Sequence, residues 1–485
     1  MLTATIFLPT LGAILILLMP RENVRAIRQA AAIVTGLALL VSLFVWAGFD
    51  PSNPSIQSAQ RFVWIPSANI QYFVGVDGLS LPLVVLTTLL TFMAVLASMH
   101  IELRVKEYFA LLLMLETGVL GVFSALDFFL FFLFWEIELI PMYFLIGIWG
   151  GPRREYAAIK FVIYTLTGSA MMLIGILALY FNSPAPHTFD MITLGNLAWA
   201  PLFQSIVFLF IFFGFAVKLP MVPFHTWLPD AHVEAPTAVS VLLAGILLKM
   251  GGYGILRTCM TILPDAAKEY APYIGIFAAI NVLYGALCVL GQSDLKAIVA
   301  YSSVSQMGYV LLGYAGLSTL SLSGASIQLF SHGLISGLLF MLVGSVYEKT
   351  HTRQVAEMEG LAPRQPILAA IFTMAGLATL GLPGMSGFIA EFVTFLGAFQ
   401  TWPVITAICI FGIVLSAGYM LWTVRRVFFG PLRPAYLTLG DARGVELVPL
   451  FTLAALVVFF GVFPSVLTNI VEVGVAPIVA RLGTQ

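Results

Sequence analysis

Residues 215–237, FAVKLPMVPFHTWLPDAHVEAPT, begin as a membrane helix and then stop being one. Lys218 closes an apolar run, and Pro220 and Pro223 then remove two backbone donors within one turn, which leaves carbonyls without helical partners. The polar stretch beyond them, with His225, Asp230, His232, Glu234 and Thr237, is suited to satisfy them. A second break has the same character: Gly381-Leu-Pro383-Gly384-Met-Ser386-Gly387 interrupts an apolar run that resumes through Phe388, Ile389 and Glu391. Broken helices in two halves of a chain point to inverted repeats around a site near the bilayer midplane.

Composition sets the class around these breaks. The 485 residues are 60% hydrophobic and 9% charged, with 39 Phe, so the chain cannot cover a soluble globule with polar surface. Runs of roughly twenty apolar residues recur, each long enough as a helix to cross a hydrocarbon core about 30 Å thick. The pattern predicts an all-α polytopic membrane protein of about fourteen spans, at 2–20, 26–48, 79–98, 107–125, 128–149, 157–181, 203–222, 235–257, 270–290, 295–316, 321–346, 365–396, 402–425 and 447–470. Pro220 and Pro383 lie 163 residues apart, which suits two inverted five-helix repeats over 107–257 and 270–425, with helices 7 and 12 broken. Helices 1–3 (1–106) precede them, and helix 14 with a tail (447–485) comes after.

Charge tests the span count. Sixteen of the 22 basic residues fall on odd-numbered connections, among them Arg21, Arg104, Arg153, Lys296, Arg353 and Arg425, whereas the other side holds only Arg61, Arg257, Lys268 and Arg481. A missed or invented helix would scramble that asymmetry, and the positive-inside rule puts both termini away from the cytoplasm, on the periplasmic or lumenal side. The first apolar run leads to Pro20 and Arg21 with no small-residue cleavage site.

Four ionisable residues lie deep in apolar segments: Glu136, Lys218, Lys249 and Glu391. Charges at that depth cost several kcal/mol unless paired or hydrated, so their default reading is an ion or proton path. A carboxylate beside Phe128 to Phe134 is a costly choice for mere capping, and a break inside the bilayer argues against Lys218 simply snorkelling to the surface. Glu138 is about 200° round the helix from Glu136 and is expected to face elsewhere. Glu116 and Asp127 read as helix-terminal acids. His332 is either a satisfied core donor or a relay, and His225 and His232 combine loop structure with access to the path. A carboxylate about 4 Å from an ammonium stabilises it by about 4 kcal/mol at an effective dielectric near 20, so a Glu–Lys pair that opens and closes is a proton switch. The expected order is that Glu136 biases Lys218, Lys218 exchanges with Lys249 through water, and Glu391 connects Lys249 to the far side.

Other chemistry finds no residues here. Cys259, Cys288 and Cys409 stand on separate apolar segments, which does not suit iron–sulfur or zinc ligation within the chain. No Walker loop or GxGxxG follows a strand, and the His spacing does not suit a paired-helix haem site.

The segments FFLFFLFWEIELIPMYFLIGIWGG (128–151), 215–257 with its Lys218 and Lys249, LKAIVAYSSVSQMGY (295–309), FSHGLISGLLFMLVGS (330–345) and GLPGMSGFIAEF (381–392) closely resemble the antiporter-like subunit M of complex I. The same subunit is called D in the cyanobacterial and plastid complexes and subunit four in mitochondria. The resemblance spans nearly the whole chain. It implies fourteen helices in two inverted repeats, with Glu136 and Lys218 as the input pair, Lys249 as the central lysine and Glu391 as the terminal group. Related antiporter subunits carry lysine at that last position, so Glu391 favours the M/D branch. The doubled carboxylate Glu136-Ile-Glu138 looks like the photosynthetic branch, and the 232–240 stretch looks like cyanobacterial variants used for carbon dioxide uptake. That branch implies a thylakoid membrane, ferredoxin as electron donor and plastoquinone as acceptor, and otherwise a bacterial inner membrane is implied. The implied partners are the other antiporter-like membrane subunits (B/N and F/L types), small membrane subunits, lipids, a peripheral electron-input arm with quinone and iron–sulfur clusters outside this chain, and a carbonic-anhydrase-like subunit, with no nucleic acid. Two further readings use the same residues: a sodium/proton antiporter subunit, which would transport without electron flow, and a structural membrane subunit, in which Lys249 would tolerate neutral substitution.

Overall fold

The computed structural model describes residues 1–483. Helices α1 (Leu2–Leu18) and α2 (Val24–Ala47) lead into a hairpin of β1 (Gln57–Ile65) and β2 (Ile70–Val76), followed by α3 (Ser80–Ala97) and α4 (Val105–Ser124). The span expected at 128–149 is two helices, α5 (Phe128–Ile137) and α6 (Leu139–Trp149), jointed at Glu138. Next come α7 (Arg154–Asn182), a short α8 (Met191–Gly195), α9 (Pro201–Lys218) and α10 (Trp227–Glu234). The eighth span runs from α11 (Thr237–Leu242) through a π-helical turn (Leu243–Leu247), α12 (Leu248–Gly254) and a second π segment (Ile255–Met260). The remainder is α13 (Pro264–Leu290), α14 (Leu295–Gly316), α15 (Thr319–Thr350), α16 (Pro366–Thr379), α17 (Ser386–Thr401), α18 (Pro403–Phe428), α19 (Leu447–Val462) and α20 (Ser465–Leu482). Among the described residues, twelve helices are long and apolar enough to cross a membrane.

Two features depart from the fourteen-span reading. The hairpin adds strand to a chain read as all-helical: its alternating residues pair antiparallel from Gln57↔Val76 to Ile65↔Ile70, turning through left-handed Asn69. The segment expected as one helix at 447–470 with a tail divides at Pro464, because proline lacks the amide hydrogen and keeps the preceding Phe463 out of the helical region. In place of the tail stands α20, whose Arg481 binds the carbonyls of Gly195 and Thr261 and, at 2.8 Å, the Asn196 side chain.

Burial sorts the helices. The eighth span and α15 are wholly wrapped by protein, whereas α2 and α18 have about a third of their apolar window buried and turn the rest outward. The hairpin, α8 and α20 gather on one end of the bundle, tied by Arg61–Asp190 at 2.8 Å and by Arg257–Asp77. Asp127 caps α5 through the amides of Phe129 and Leu130 and also accepts from Gln71 of β2, so one carboxylate joins helix to hairpin. Burial pushes that carboxyl up to about 6 despite these donors. The opposite end carries Arg21–Glu107, Arg153–Glu234, Arg353–Asp294 and Lys349–Glu446.

Arg257, counted from sequence among the loop cations, is instead buried against Asp77 and Tyr253. Asp77→Asn leaves a buried guanidinium without its counter-charge and is expected to destabilise the subunit by about 3–5 kcal/mol. Adding Arg257→Met is expected to restore much of the loss, measured as thermal retention of the subunit in the purified membrane complex.

Candidate functional site

The first break places a lysine at the end of a half-helix. Helix α9 stops at Lys218, where the last carbonyls and the negative end of the helix dipole favour an ammonium. Carbonyls freed by the break are taken up by side chains: Asn281 of α13 donates to Pro220 O at 3.2 Å and accepts from Val222 N at 2.8 Å, and Trp227 Nε1 donates to Val217 O. The sequence assigns this task to the polar 225–237 stretch. Asn281, sixty residues away, does much of it.

Lys218 Nζ forms an ion pair with Glu138, and both side chains are buried. This corrects the sequence reading, which paired Lys218 with Glu136 and turned Glu138 away. The 200° step between the two acids holds, but the inward face of α5 is the one carrying Phe131, Phe134, Trp135 and Glu138, all buried. Glu136 is half-buried, and its Oε1 has no hydrogen-bond partner among the described residues. The rings of Trp135 and Phe161 lie 5.6 and 5.4 Å from the Lys218 ammonium. Gly118 and Gly121 of α4 let α5 come close: a Cβ at Gly118 would stand 3.2 Å from that of Glu138, and one at Gly121 would enter the Phe134 ring.

Lys249 sits between the two π segments. Its ammonium donates to Ala244 O, inside the first π turn, and lies 2.7 Å from Nδ1 of His332 on α15. A π turn shifts the backbone ladder by one residue, which leaves a carbonyl available to such a partner. Gly251 packs α12 directly onto the break in α9: a Cβ there would meet Leu219 N and Phe215 O at 2.8 Å. The helices that carry the two lysines therefore touch with no side chain between them.

His332 opens onto a small cavity that it shares with Ser302, Gln306, Gln328, Ser336 and Glu391. The free space is about 10 Å3, the lower bound for one water. Gln328 donates to Gln306 Oε1, and Gln306 donates to Thr379 O at 3.0 Å and meets the Glu391 carboxylate. That carboxylate points back at the second break, against Gly381, whose φ of +75° suits glycine. The structure thus brings Lys249, His332 and Glu391 to one polar seam.

The remaining histidines differ. His232 is fully buried, stacks on Phe340 at 4.4 Å, and has neither ring nitrogen hydrogen-bonded among the described residues. His225 sits at the break beside Tyr284 and Tyr301. Sequence reasoning missed Lys296, counted as a loop cation but buried and bonded to Ala235 O, and the glutamines of the cavity. Gln306 and Gln328 carried a signal, as uncharged polar residues inside spans. Glu116, read as helix-terminal, lies inside α4 and fully buried.

Comparison with known proteins agrees with this architecture. Residues 125–416 match the family described as NADH:quinone oxidoreductase/Mrp antiporter, TM, and residues 1–121 match the amino terminus of NADH-ubiquinone oxidoreductase chain 4. Subunit M of the NADH-quinone oxidoreductase of Rhodobacter capsulatus is 43% identical over 100% of this chain and 98% of its own. NAD(P)H-quinone oxidoreductase chain 4 of Gloeobacter violaceus is 41% identical over 97% and 90%. A chain in respiratory complex I from Thermus thermophilus superposes with a TM-score of 0.90 at 30% identity, covering 99% of this chain and 100% of that one. A chain of the Mrp complex from Dietzia shares the fold at 22% identity and a TM-score of 0.88, covering 99% and 98%. With both family models matching and relatives aligned end to end, the chain belongs to the NADH:quinone oxidoreductase/Mrp antiporter family, as an antiporter-like membrane-arm subunit of complex I.

Proposed function

We propose that this subunit carries protons across the membrane through Glu138, Lys218, Lys249, His332 and Glu391, driven by quinone reduction elsewhere in its complex. The observation that carries the reading is the continuity of the buried set. The Glu138–Lys218 pair ends one half-helix, Gly251 seats the second lysine's helix on that end, Lys249 bonds His332, and His332 shares a cavity with Glu391. The order is the one read from sequence with Glu138 in the pairing role, and Glu136 joins it as the acid nearer the protein surface. His225 and His232 flank the path. The two five-helix units at 107–257 and 270–425 would be its two inverted halves, and the end of the bundle bearing the hairpin and α20 would face the periplasm or lumen.

The switch works by pairing. While Glu138 holds Lys218, the ammonium is compensated. Parting them leaves a buried, uncompensated charge, which favours passing a proton toward Lys249. Moving one charge against 100 mV needs about 2.3 kcal/mol, within the reach of a change in pairing in a weakly polar interior. The small cavity holds space for a water between His332 and Glu391 but not for a continuous channel. Proton passage without leak requires such gaps.

A narrower reading draws on the doubled carboxylate 136–138: a cyanobacterial complex in which ferredoxin reduces plastoquinone and a carbonic-anhydrase-like partner hydrates carbon dioxide. The donor accepted by the purified complex and its co-purifying subunits decide between this and an NADH-linked bacterial complex.

Two outcomes test the main proposal in membrane vesicles, with pumping followed by a pH-sensitive dye beside quinone reduction. Glu138→Gln is expected to lower coupled pumping by roughly tenfold or more and Glu136→Gln by clearly less, because a buried pair loses about 3–5 kcal/mol when one partner goes. The reverse ranking would return the pairing role to Glu136. Lys249→Gln is expected to abolish pumping with the complex assembled, and pumping that persists only with sodium present would assign the path to that ion instead.

A further inference from the structure

Away from the charged seam, three arginines converge on one cavity at the end of the bundle opposite the hairpin. It lies between the last turn of α18 and the loop after α15, with about 560 Å3 of free space, a size that suits a small ligand or a headgroup. Its walls carry the guanidiniums of Arg425, Arg426 and Arg433 against one carboxylate, Glu359, an excess of two positive charges. We propose that this cavity binds the phosphate headgroup of an anionic phospholipid.

Arginines at a helix end just outside the hydrocarbon are common in membrane proteins and alone mark no site. Here their surroundings are built. Gly430, at φ +109°, reverses the chain after α18, and Leu361 N and Ala362 N donate to Val427 O and Phe428 O at 3.3 and 2.9 Å, which stitches the loop from α15 to the helix end. Arg433, on the returning strand of chain, donates to Ala356 O at 2.6 Å and faces Glu359 at 3.8 Å, so the third guanidinium is fixed from the loop side. Arg425 and Arg426 have no carboxylate within ion-pair distance among the described residues. Arg426 lies over the Trp422 ring at 4.7 Å, which holds its stem while leaving its charge uncompensated.

The apolar surroundings point to a lipid rather than a free anion. Val414, Gly418, Leu421 and Arg425 fall on one stripe of α18 at steps of four, three and four residues, and that stripe leads from the cavity toward the bilayer centre. Val414 and Leu421 are exposed, and a Cβ at Gly418 would meet nothing within 4 Å, so the stripe is an open track for an acyl chain. Trp422 and Phe429, also exposed, flank the cavity with rings suited to the boundary between chains and headgroups. The arginine fork matches phosphate oxygens in pairs, and basic pockets at helix ends are a recurrent means of holding anionic headgroups.

The inference does not depend on the proton path, and pumping is not its readout. The intact complex is placed in nanodiscs of phosphatidylcholine doped with phosphatidylglycerol that carries a photoreactive headgroup, and the cross-linked peptides are mapped. Labelling is expected to concentrate in 355–359 and 422–433, to fall roughly tenfold or more when Arg425→Gln and Arg426→Gln are combined, and to survive Arg425→Lys with Arg426→Lys. Arg104→Gln with Arg154→Gln removes the same charge elsewhere on this end of the bundle and is expected to leave it unchanged. An equal fall in both glutamine pairs overturns the site, because the general field of that end would then account for the binding. Equal labelling by photoreactive phosphatidylcholine, displacement by inorganic phosphate alone, or no labelling of these segments in the wild-type complex each overturns it as well. If the Arg425→Gln and Arg426→Gln pair fails to assemble, the comparison of the two lipids on the wild-type complex decides: preference for phosphatidylglycerol at these segments upholds the site, and parity overturns it.

Discussion

The ion pair between Lys218 and Glu138 sets terms for everything packed around it. Two opposite charges inside a lipid-facing bundle are tolerated only where geometry and extra donors or acceptors repay their lost hydration. Here the lysine stands at the carbonyl end of a half-helix, its ring neighbours Trp135 and Phe161 offer their faces, and Asn281 satisfies the backbone that the break exposes. The break is therefore not a defect in a spanning helix. It creates the local field in which an ammonium can sit at mid-depth, and Pro220 and Pro223 are the residues that enforce it.

The same constraint explains why small residues crowd the neighbouring contacts. A charge that must hand over a proton needs its acceptor near, and bulky side chains would hold the helices apart. Gly118, Gly121 and Gly251 remove those side chains where α4 meets α5 and where α12 meets α9. The π turns on either side of Lys249 serve the other half of the problem, since they release a carbonyl to hold the lysine without a permanent counter-ion. A lysine held by neutral groups changes its proton more readily than one locked to a carboxylate.

The overall scaffold was legible because its signals are long and redundant: twenty-residue apolar runs, a one-sided distribution of Arg and Lys, and two proline or glycine breaks inside them. The four deep charges were legible for the same reason, since an isolated Glu or Lys in such a run has few bland explanations. The facing of α5 was not. Phe, Leu and Trp surround both Glu136 and Glu138, so no polar face betrays which side looks inward, and only packing against Gly118 decides it. The hairpin was hidden because 57–76 is mildly polar and reads as a connection. Helix α20 was hidden because Pro464 falls inside an apolar run that a window smooths over. Glu116 was misread as a helix-terminal acid although the expected span 107–125 already put it mid-helix, where α4, from Val105 to Ser124, buries it.

The two halves of the site also differ in how they manage charge, and this bears on direction. The first half ends in a closed acid–base pair, so separating it requires work. The second ends in Glu391, whose carboxylate meets Gln306 and the backbone at Gly381 rather than a lysine. A lone carboxyl with neutral neighbours takes up and releases a proton with little rearrangement, whereas an ion pair resists both. In the proposed path the first pair would be the gate that must be opened, and Glu391 the terminal at which a proton leaves the seam. A lysine at position 391, the residue related antiporter subunits carry, would receive a proton only as the neutral amine, whereas the Glu391 carboxylate receives one in its charged form.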